Sequence, residues 1–502
     1  MASRAGQVQR LELASTPFMA GRLPGQCRKV TPVEDVRICR ACGHIDAADS
    51  RGRCHNCGLF SELAILPRPQ AEQLVRQRWR RAWRRRLLYL TVALALLGGA
   101  TLWACGVFFD LGPRPPRATT RVSASSAPHT WAQAQRTPES SGFTPDEAPF
   151  PHQVTWTYRT SQPLLASPAV VAEHVYLTTG DGRTIALDRH TGHLVWEYRS
   201  GWLSSSTPAV AGDAVIFAVR PGRVVALHRQ SGARCWEINI NSPILASPIV
   251  VHGTVYLGAA DKKLYALDAA TGQQRWAFAT QDWIVSTVAY ADDRVIVASQ
   301  DSHLHVIGAE TGRLRLVYET GKGRHIGVGP AIQGDRAYFG SVGARVWAIA
   351  WQATTYPWER ALLFWQTNLY LWGMRSTSPI QKGSVWSRRV GGDVRHTPAI
   401  AHNTVYVTAA PGQVVALDAA TGVERWRVDL RMVITAAPTV AGNTVLIGTQ
   451  DGLVVGLQAQ TGAVLWDFKT AGKLTASPIV AGDTMYVASN DGTLYAVSRS
   501  PG

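Results

Sequence analysis

The sequence predicts an all-β fold, an eight-bladed β-propeller, and three observations support this prediction. From residue 154 onward one pattern recurs about every 40 residues, which is the length of a four-stranded propeller blade. Each repeat alternates apolar and polar residues over short segments, as in Val255 and Leu257, and half-buried strands show this period of two. Gly (45) and Trp (18) are abundant and Met (5) is scarce, which suits a turn-rich β chain.

One aromatic position fixes the register of the repeats. It opens the predicted fourth strand of each unit and occurs eight times, as Trp156, Trp196, Trp236, Trp276, Leu316, Trp386, Trp426 and Trp466. The first strands have eight markers as well, namely Pro168, Pro208, Pro248, Val288, Pro330, Pro398, Pro438 and Pro478. The last unit ends without a fourth strand, whereas VTWTY (154–158) precedes the first unit. We therefore predict that this N-terminal strand completes the last blade and closes the ring.

The turn before the fourth strand carries a specific motif. Leu-Asp-x-x-Thr-Gly-x-x-x-Trp is intact at residues 187–196 and 267–276. Through this motif, residues 154–499 resemble the pyrroloquinoline-quinone (PQQ) repeat superfamily and, within it, the BamB-like periplasmic propellers. The resemblance implies that each tryptophan packs between adjacent blades against the Thr-Gly peptide of a neighbouring unit. It also raises the possibility of an enzyme, because quinoprotein dehydrogenases of this superfamily hold PQQ over the propeller axis with a calcium ion and a catalytic aspartate.

The sequence argues against such an enzyme. Quinoprotein dehydrogenases often carry adjacent cysteines, whereas Cys235 is the only cysteine in the C-terminal two thirds of this chain. Five aspartates recur at one position between the second and third strands, namely Asp181, Asp261, Asp301, Asp451 and Asp491. A residue repeated in this way serves turns better than it serves a single metal site. We therefore predict no bound PQQ and no catalytic residues.

Four cysteines near the N-terminus have the spacing of a structural zinc site. Cys39 and Cys42 form one Cys-x2-Cys pair, Cys54 and Cys57 form a second, and glycine follows each pair. Four thiolates complete a tetrahedron around Zn²⁺ and leave no open position for catalysis. We predict a zinc ribbon over residues 31–65 and leave residues 1–30 unassigned.

An apolar run predicts one transmembrane helix. Residues 87–109 are 23 residues without a charge, which is enough to cross a hydrocarbon core of about 30 Å. The basic juxtamembrane segment 66–86 precedes the run, so the positive-inside rule places the N-terminus in the cytoplasm and the propeller in the periplasm or outside the cell. Since 86 residues precede the run, we expect an uncleaved anchor and not a signal peptide. Alternatively, Cys105 could accept a lipid, but Trp103 departs from that processing pattern.

Two further segments are distinct from the repeats. Residues 110–150 are rich in Pro, Ser, Thr and Ala, which predicts a flexible linker before a propeller at 151–500. Residues 350–385 interrupt the fifth unit between its third and fourth strands. There, an apolar stripe recurs at helical spacing and consists of Trp358, Leu362, Trp365, Leu369 and Trp372. Such a stripe packs on the propeller itself or contacts a protein or a membrane, and we take it as a candidate partner contact.

Net charge helps to choose among functions. The formal net charge of the chain is +16, and residues 1–109 contribute +10 of it, with 17 Lys/Arg and 7 Asp/Glu. The propeller therefore carries little excess charge, and nucleic-acid binding is not indicated. We expect a non-enzymatic, membrane-anchored propeller that binds or scaffolds a protein partner in the cell envelope. Two alternatives stay open: a small-ligand sensor that couples the propeller to the zinc ribbon, and a PQQ-dependent dehydrogenase.

Overall fold

The chain divides into two compact units, residues 1–102 and 103–502. The computed structural model describes residues 35–39, 45, 63–108, 114–150, 152–321, 324–356 and 358–499. Each unit is described by itself.

The first unit contains a hairpin and a long helix. Strand β1 (Asp35–Cys39) pairs antiparallel with β2 (Leu63–Pro67), and helix α1 (Arg68–Phe108) follows directly. Val36 and Ile38 form a small apolar cluster with Ala71 of α1, which ties the hairpin to the start of the helix. Over the described residues, no helix is identified as both long and apolar enough to span a membrane.

The second unit is built from eight sheets. It begins with β3 (Phe143–Thr144) and β4 (His152–Arg159). Blades 1 to 4 contain β5 (Ala169–Val171), β6 (His174–Thr178), β7 (Arg183–Asp188), β8 (Leu194–Arg199); β9 (Ala209–Ala211), β10 (Ala214–Val219), β11 (Arg223–His228), β12 (Arg234–Asn239); β13 (Ile249–Val251), β14 (Thr254–Gly258), β15 (Lys263–Asp268), β16 (Gln274–Ala279); and β17 (Ala289–Ala291), β18 (Arg294–Ala298), β19 (His303–Gly308), β20 (Leu314–Glu319).

Blades 5 to 8 continue the series, with one helix inserted in blade 5. They contain β21 (Ala331–Gln333), β22 (Arg336–Ser341), β23 (Arg345–Ala350), α2 (Glu359–Leu371), β24 (Ser384–Arg389); β25 (Ala399–Ala401), β26 (Thr404–Ala409), β27 (Gln413–Asp418), β28 (Glu424–Asp429); β29 (Thr439–Ala441), β30 (Thr444–Gly448), β31 (Leu453–Gln458), β32 (Val464–Lys469); and β33 (Ile479–Ala481), β34 (Thr484–Ala488), β35 (Thr493–Arg499).

The ring closes as the sequence predicted. β4 pairs antiparallel with β35, and Trp156 lies opposite Ala496, so the N-terminal strand is the outermost strand of blade 8. In every blade a three-residue strand begins the blade at the axis, and in blades 1 to 7 the next three strands follow in chain order. Joining the two ends of the ring within one sheet leaves no gap between blades 8 and 1 through which water could reach the core.

The hydrophobic core is a ring of interfaces between neighbouring blades. Eight apolar clusters each combine residues of two adjacent blades. The second and third strands contribute most of these residues, and their apolar side chains are buried on both faces of the sheet. Because each blade has two apolar faces, it can bury them only between two neighbours, which makes the ring a cooperative unit.

The docking tryptophans lock these interfaces by one repeated contact. In six blades the indole N–H donates to the backbone carbonyl 33 residues further on, at 2.8–3.0 Å, as from Trp236 Nε1 to Ala269 O. The ring also packs on the glycine of the Thr-Gly turn in the next blade. A Cβ added at Gly272 would lie 2.7 Å from the Trp236 ring, and this glycine has a φ of +74°. The tryptophan packing that the resemblance implied is thus present in the structure.

The exception at Leu316 is explained by blade 5. The insertion replaces the Thr-Gly turn there, so the surface on which a tryptophan would dock is missing. Instead, the ends of the insertion pair with the outer strand of blade 4: Thr355 N donates to Arg315 O at 2.8 Å, and the Tyr318 hydroxyl donates to Ser384 Oγ at 3.2 Å. Leu316 is fully buried within this smaller contact.

The segment before the propeller is packed, which corrects the flexible linker predicted for 110–150. Residues 122–148, here called the axial segment, run along the inner strands of the ring. Carbonyl groups of the axial segment accept hydrogen bonds from the middle residue of the inner strand in every blade from 1 to 7, blade 3 being served by the Gln133 side chain. The seven donors are Val170, Val210, Val250, Tyr290, Ile332, Ile400 and Val440.

Physical chemistry explains why a Pro/Ser/Thr/Ala-rich segment is ordered here. The inner strand of each blade is a sheet edge whose N–H groups need partners. The axial segment supplies these partners. Arg136 holds the segment in a loop, since its buried guanidinium donates to the carbonyls of Thr130, Phe143 and Ala127. Burial lowers the pKa of Arg136, and the negative charge of Asp146 opposes this effect.

The docking contact can be tested at two glycines with the same backbone conformation. Gly272 contacts the Trp236 ring, whereas Gly201 has a φ of +73° and no neighbouring atom within 4 Å of an added Cβ. Alanine at either position is strained by the positive φ. Only in Gly272→Ala does the new Cβ also clash with the Trp236 ring, which should lower the free energy of unfolding by about 1–3 kcal/mol more. We expect a clearly lower melting temperature for Gly272→Ala than for Gly201→Ala. Equal melting temperatures would show that the ring contact does not limit stability.

A second pair of variants tests whether the axial segment belongs to the core. Trp131 of this segment is 2% exposed and packs between blades 8 and 1, so Trp131→Ala should cost about 3–5 kcal/mol and lower the melting temperature. Arg121→Ala, at an exposed position of the same region, should have little effect. If Trp131→Ala unfolds at the wild-type temperature, the segment does not stabilise the ring.

Candidate functional site

The two faces of the ring differ in the loops that they carry. The upper face holds the connections from the outer strand of one blade to the inner strand of the next, together with the hairpins between second and third strands. The lower face holds the hairpins between first and second strands and the Thr-Gly turns. These positions follow from the antiparallel strand order of each blade.

A pocket of about 440 Å³ lies on the ring axis near the upper face. Its walls are the residues that precede the inner strands of all eight blades, and Trp131, Ala134 and Gln135 of the axial segment also line it. Most of the polar lining consists of hydroxyl groups: Ser167, Ser205, Thr207, Ser247, Ser286, Thr287, Thr397, Thr439, Thr475 and Ser477. The axial segment therefore shortens the central channel to a pocket.

Several of these hydroxyls connect neighbouring blades. Ser167 Oγ donates to Ser477 O at 2.9 Å, Ser247 Oγ accepts from Thr207 N at 3.0 Å, and Thr397 Oγ1 accepts from Gly329 N at 3.1 Å. Ser167, Ser247 and Thr397 each stand directly before a proline that marks a first strand. The hydroxyl ring thus has a structural role, which accounts for the recurrence of Ser/Thr-Pro in the sequence.

The ionisable groups of the pocket come from blade 6. Arg395 is exposed and lies 3.3 Å from Asp393, while His396 Nδ1 lies 3.0 Å from the Thr408 hydroxyl. Burial lowers the pKa of His396 to about 4, and the positive charge of Arg395 acts in the same direction. His396 is therefore neutral near pH 7.

The pocket does not fit the cofactor arrangement of a quinoprotein dehydrogenase. Calcium binds six to eight oxygen atoms, with carboxylates prominent among them, and no Asp or Glu is among the residues that line this pocket. Within the described residues, no group of three or more His, Cys, Asp or Glu side chains could hold a metal ion. Cys235 lies on the exposed outer strand of blade 2, at the opposite edge of the sheet from the axis.

Three of the five recurring aspartates bond within turns, as predicted from their repeat position. Asp261, Asp301 and Asp491 each accept a hydrogen bond from the backbone N–H two residues further on, at 3.3, 2.9 and 2.8 Å. Asp181 pairs instead with the side chain of Arg183. These carboxylates lie in separate blades, so the fold does not gather them into one site.

Only part of the predicted zinc site lies in the described residues. Cys39 is the buried last residue of β1, whereas Cys42, Cys54 and Cys57 lie outside those residues. The zinc site therefore stays a prediction.

The helix predicted in the insertion is present as α2, and its apolar stripe is exposed. Trp358, Trp365 and Trp372 are 58–60% exposed, and Leu362 and Leu369 are also on the surface. The stripe does not pack on the propeller, which was one of the expectations for it. Its role as a partner contact stays a prediction.

The upper face has exposed aromatic residues that sequence reasoning missed. Trp202 and Trp283 lie in the loops that lead to blades 2 and 4, and both are about half exposed. Arg223 lies over the Trp202 ring, with 5.8 Å between its Cζ and the ring centroid. Both tryptophans fall outside the 40-residue docking register, and this departure is the signal that could have identified them.

Eight four-stranded blades joined by tryptophan docking define a propeller of PQQ-like repeats. The sequence profile of the family described as outer membrane protein assembly factor BamB matches residues 92–250, 242–383 and 371–502. The chain therefore belongs to this family. A search of curated proteins gave no match.

Solved structures with this architecture include a BamB protein, dehydrogenases and a designed protein. BamB from Moraxella catarrhalis is 18% identical, with a TM-score of 0.57 over 70% of this chain and 98% of that chain. Quinohemoprotein alcohol dehydrogenase from Comamonas testosteroni is 15% identical, with a TM-score of 0.60 over 76% and 82%. The computationally designed Ika8 protein is 18% identical, with a TM-score of 0.56 over 68% and 97%. At these identities the likeness shows the fold alone.

Burial of His396 predicts a pH dependence of stability. Its pKa is about 4 in the folded protein and 6.5 without burial, so at pH 5 the unfolded chain binds a proton that the folded chain does not. Stability should fall by up to about 2 kcal/mol between pH 7.5 and pH 5 from this group. His396→Gln should therefore gain melting temperature relative to wild type as the pH is lowered, whereas surface His193→Gln should not. A constant difference for His396→Gln at both pH values would contradict the assignment.

Proposed function

We propose that this protein is a non-enzymatic propeller that binds or scaffolds a protein partner in the cell envelope. The observation that carries the proposal is that the chain occupies its own axis with residues 122–148. The quinoprotein dehydrogenases of this superfamily use the axis for their cofactor, and the pocket left here has no carboxylate lining. Recognition is then left to the two loop faces, where a rigid scaffold commonly presents its binding groups.

The small-ligand sensor has less support. A sensor would use the axial pocket, but several hydroxyls of that pocket already hold adjacent blades together. The upper face is better suited to a protein, because exposed tryptophan and arginine are the residues that most often dominate the affinity of protein interfaces. Trp202, Trp283 and Arg223 supply these groups.

We also propose that residues 87–109 anchor the protein in the cell membrane, with the N-terminus in the cytoplasm and the propeller in the periplasm or outside the cell. The run has no charge, and seven arginines lie between residues 76 and 86. Along α1 the side chains of Leu88, Leu94 and Leu96 are 61–70% exposed, as suits contact with lipid. Residues 102–109 lie beyond the described side chains. In the cytoplasm, Cys39, Cys42, Cys54 and Cys57 would hold one structural Zn²⁺.

The proposal can be tested by capturing the partner of the full-length protein in its native membrane. A photo-crosslinking amino acid at position 283 should give a discrete protein adduct, whereas the same amino acid at Val464, an exposed position on the outer strand of blade 7, should not. The double variant Trp202→Ser/Trp283→Ser should weaken co-purification of that partner by about 30-fold, the loss expected for about 2 kcal/mol. Its melting temperature should be unchanged.

The matched control is Val195→Ser/Val464→Ser, which removes exposed apolar side chains from outer strands. Equal recovery of the partner with both double variants would contradict binding through the upper face. Appearance of the PQQ absorbance spectrum in purified protein supplied with PQQ and calcium would contradict the non-enzymatic assignment.

A further inference from the structure

The insertion in blade 5 is hydrogen-bonded to the ring at the residues that precede α2. Its first residues are bonded to the outer strand of blade 4, and Trp351 is buried with its Nε1 donating to Gly334 O at 3.1 Å. The start of α2 is fixed as well: Glu359 accepts from Tyr356 N at 2.9 Å and pairs with Lys382 at 3.7 Å. These contacts join the insertion to the ring just before α2 begins.

The insertion, with α2, presents an apolar surface to solvent. Besides the predicted stripe, large apolar side chains at least 60% exposed include Phe364, Leu371, Met374 and Ile380. The less exposed residues of α2 include Leu363, Gln366, Thr367 and Asn368. A soluble monomer rarely exposes so many large apolar groups together, so the surface requires a cover.

The position of α2 on the ring indicates what covers it. α2 connects a third strand to a fourth strand, which places it on the lower face. The chain that comes from α1 reaches the propeller on this same face: Thr119 N donates to Asp268 Oδ2 at 2.6 Å beside a Thr-Gly turn, and Arg275 Nε donates to Pro116 O at 2.8 Å.

The length of the connection limits the distance to the bilayer. From Phe109, the last residue of the apolar run, to Pro116 there are seven residues, and seven residues span at most about 25 Å when fully extended. If the run anchors the chain, as proposed above, the lower face is tethered within this distance of the membrane. The upper face with Trp202 and Trp283 then points away from it.

The composition of α2 and its flanks suits the membrane interface. Between residues 358 and 381 the charged residues are Glu359, Arg360 and Arg375, and Lys382 already neutralises Glu359. Tryptophan, tyrosine and leucine beside arginine are characteristic of helices that lie at the headgroup level. Anionic lipids add a favourable interaction with the remaining positive charges.

We propose that α2 lies in the interface of the same bilayer that holds residues 87–109, and that it fixes the lower face of the propeller against the membrane. This inference rests on the proposed anchor. Contact at a second point, on the far side of blade 4 from the tether in blade 3, would orient the ring and present its upper face to a partner.

The test uses the full chain in vesicles of phosphatidylethanolamine and phosphatidylglycerol, with a carbene-generating reagent dissolved in the lipid phase. After illumination, peptide mapping should find label in residues 358–374 as well as in 87–109, and little label at Trp202 and Trp283. The variant Trp358→Gln/Trp365→Gln/Trp372→Gln should reduce the label in α2 at least about 5-fold. Its melting temperature should stay within about 2 °C of wild type, because exposed side chains add little to stability.

The matched control is Trp202→Gln/Trp283→Gln, which should leave the label in α2 unchanged. Label in 87–109 without label in 358–374 would overturn this inference and leave the anchor intact. Label in neither segment would overturn the anchor, and this inference with it. Cross-links between the α2 helices of two copies would assign the surface to self-association and would also overturn the inference.

Discussion

The contact between a docking tryptophan and the next blade is the interaction on which the ring depends. In six of these contacts the indole N–H bonds to a carbonyl 33 residues further on, and the ring packs on a glycine 36 residues further on. One residue thus satisfies packing, hydrogen bonding and spacing together. Because no blade can bury its two faces alone, every interface must form, including the one that β4 completes.

Closure of the ring gives blade 8 its fourth strand but leaves eight inner edges along the axis. The axial segment accepts hydrogen bonds from seven of them, so that the centre of the ring is satisfied by hydrogen bonds as well as by packing. This arrangement has a functional consequence. Along residues 122–148 the axis becomes part of the core, which supports the proposal that a partner is recognised at the loop faces.

The two loop faces have different chemistry. The upper face carries separate tryptophans beside arginine, an arrangement suited to a protein partner. The lower face is where residues 116–119 reach blade 3, and it carries α2, whose side chains form a broader apolar surface. Blade 4 departs from the repeat at Leu316 and blade 5 departs from it at the insertion. These are one feature, because the connection that supports α2 takes the place of the turn on which a tryptophan would dock.

The sequence by itself determined the blade number, the register, the closing strand and the presence of α2, because each depends on a local period or on a count of strands. Tertiary structure decided the rest. Residues 122–148 have the composition of a linker, and only the unpaired inner edges of the assembled ring make order favourable for them. Trp202 and Trp283 carry no periodic signal, and the ring alone places both on one face. Likewise, exposure of the stripe depends on how the insertion is mounted, since helical spacing shows which residues share a side but not whether that side meets the propeller.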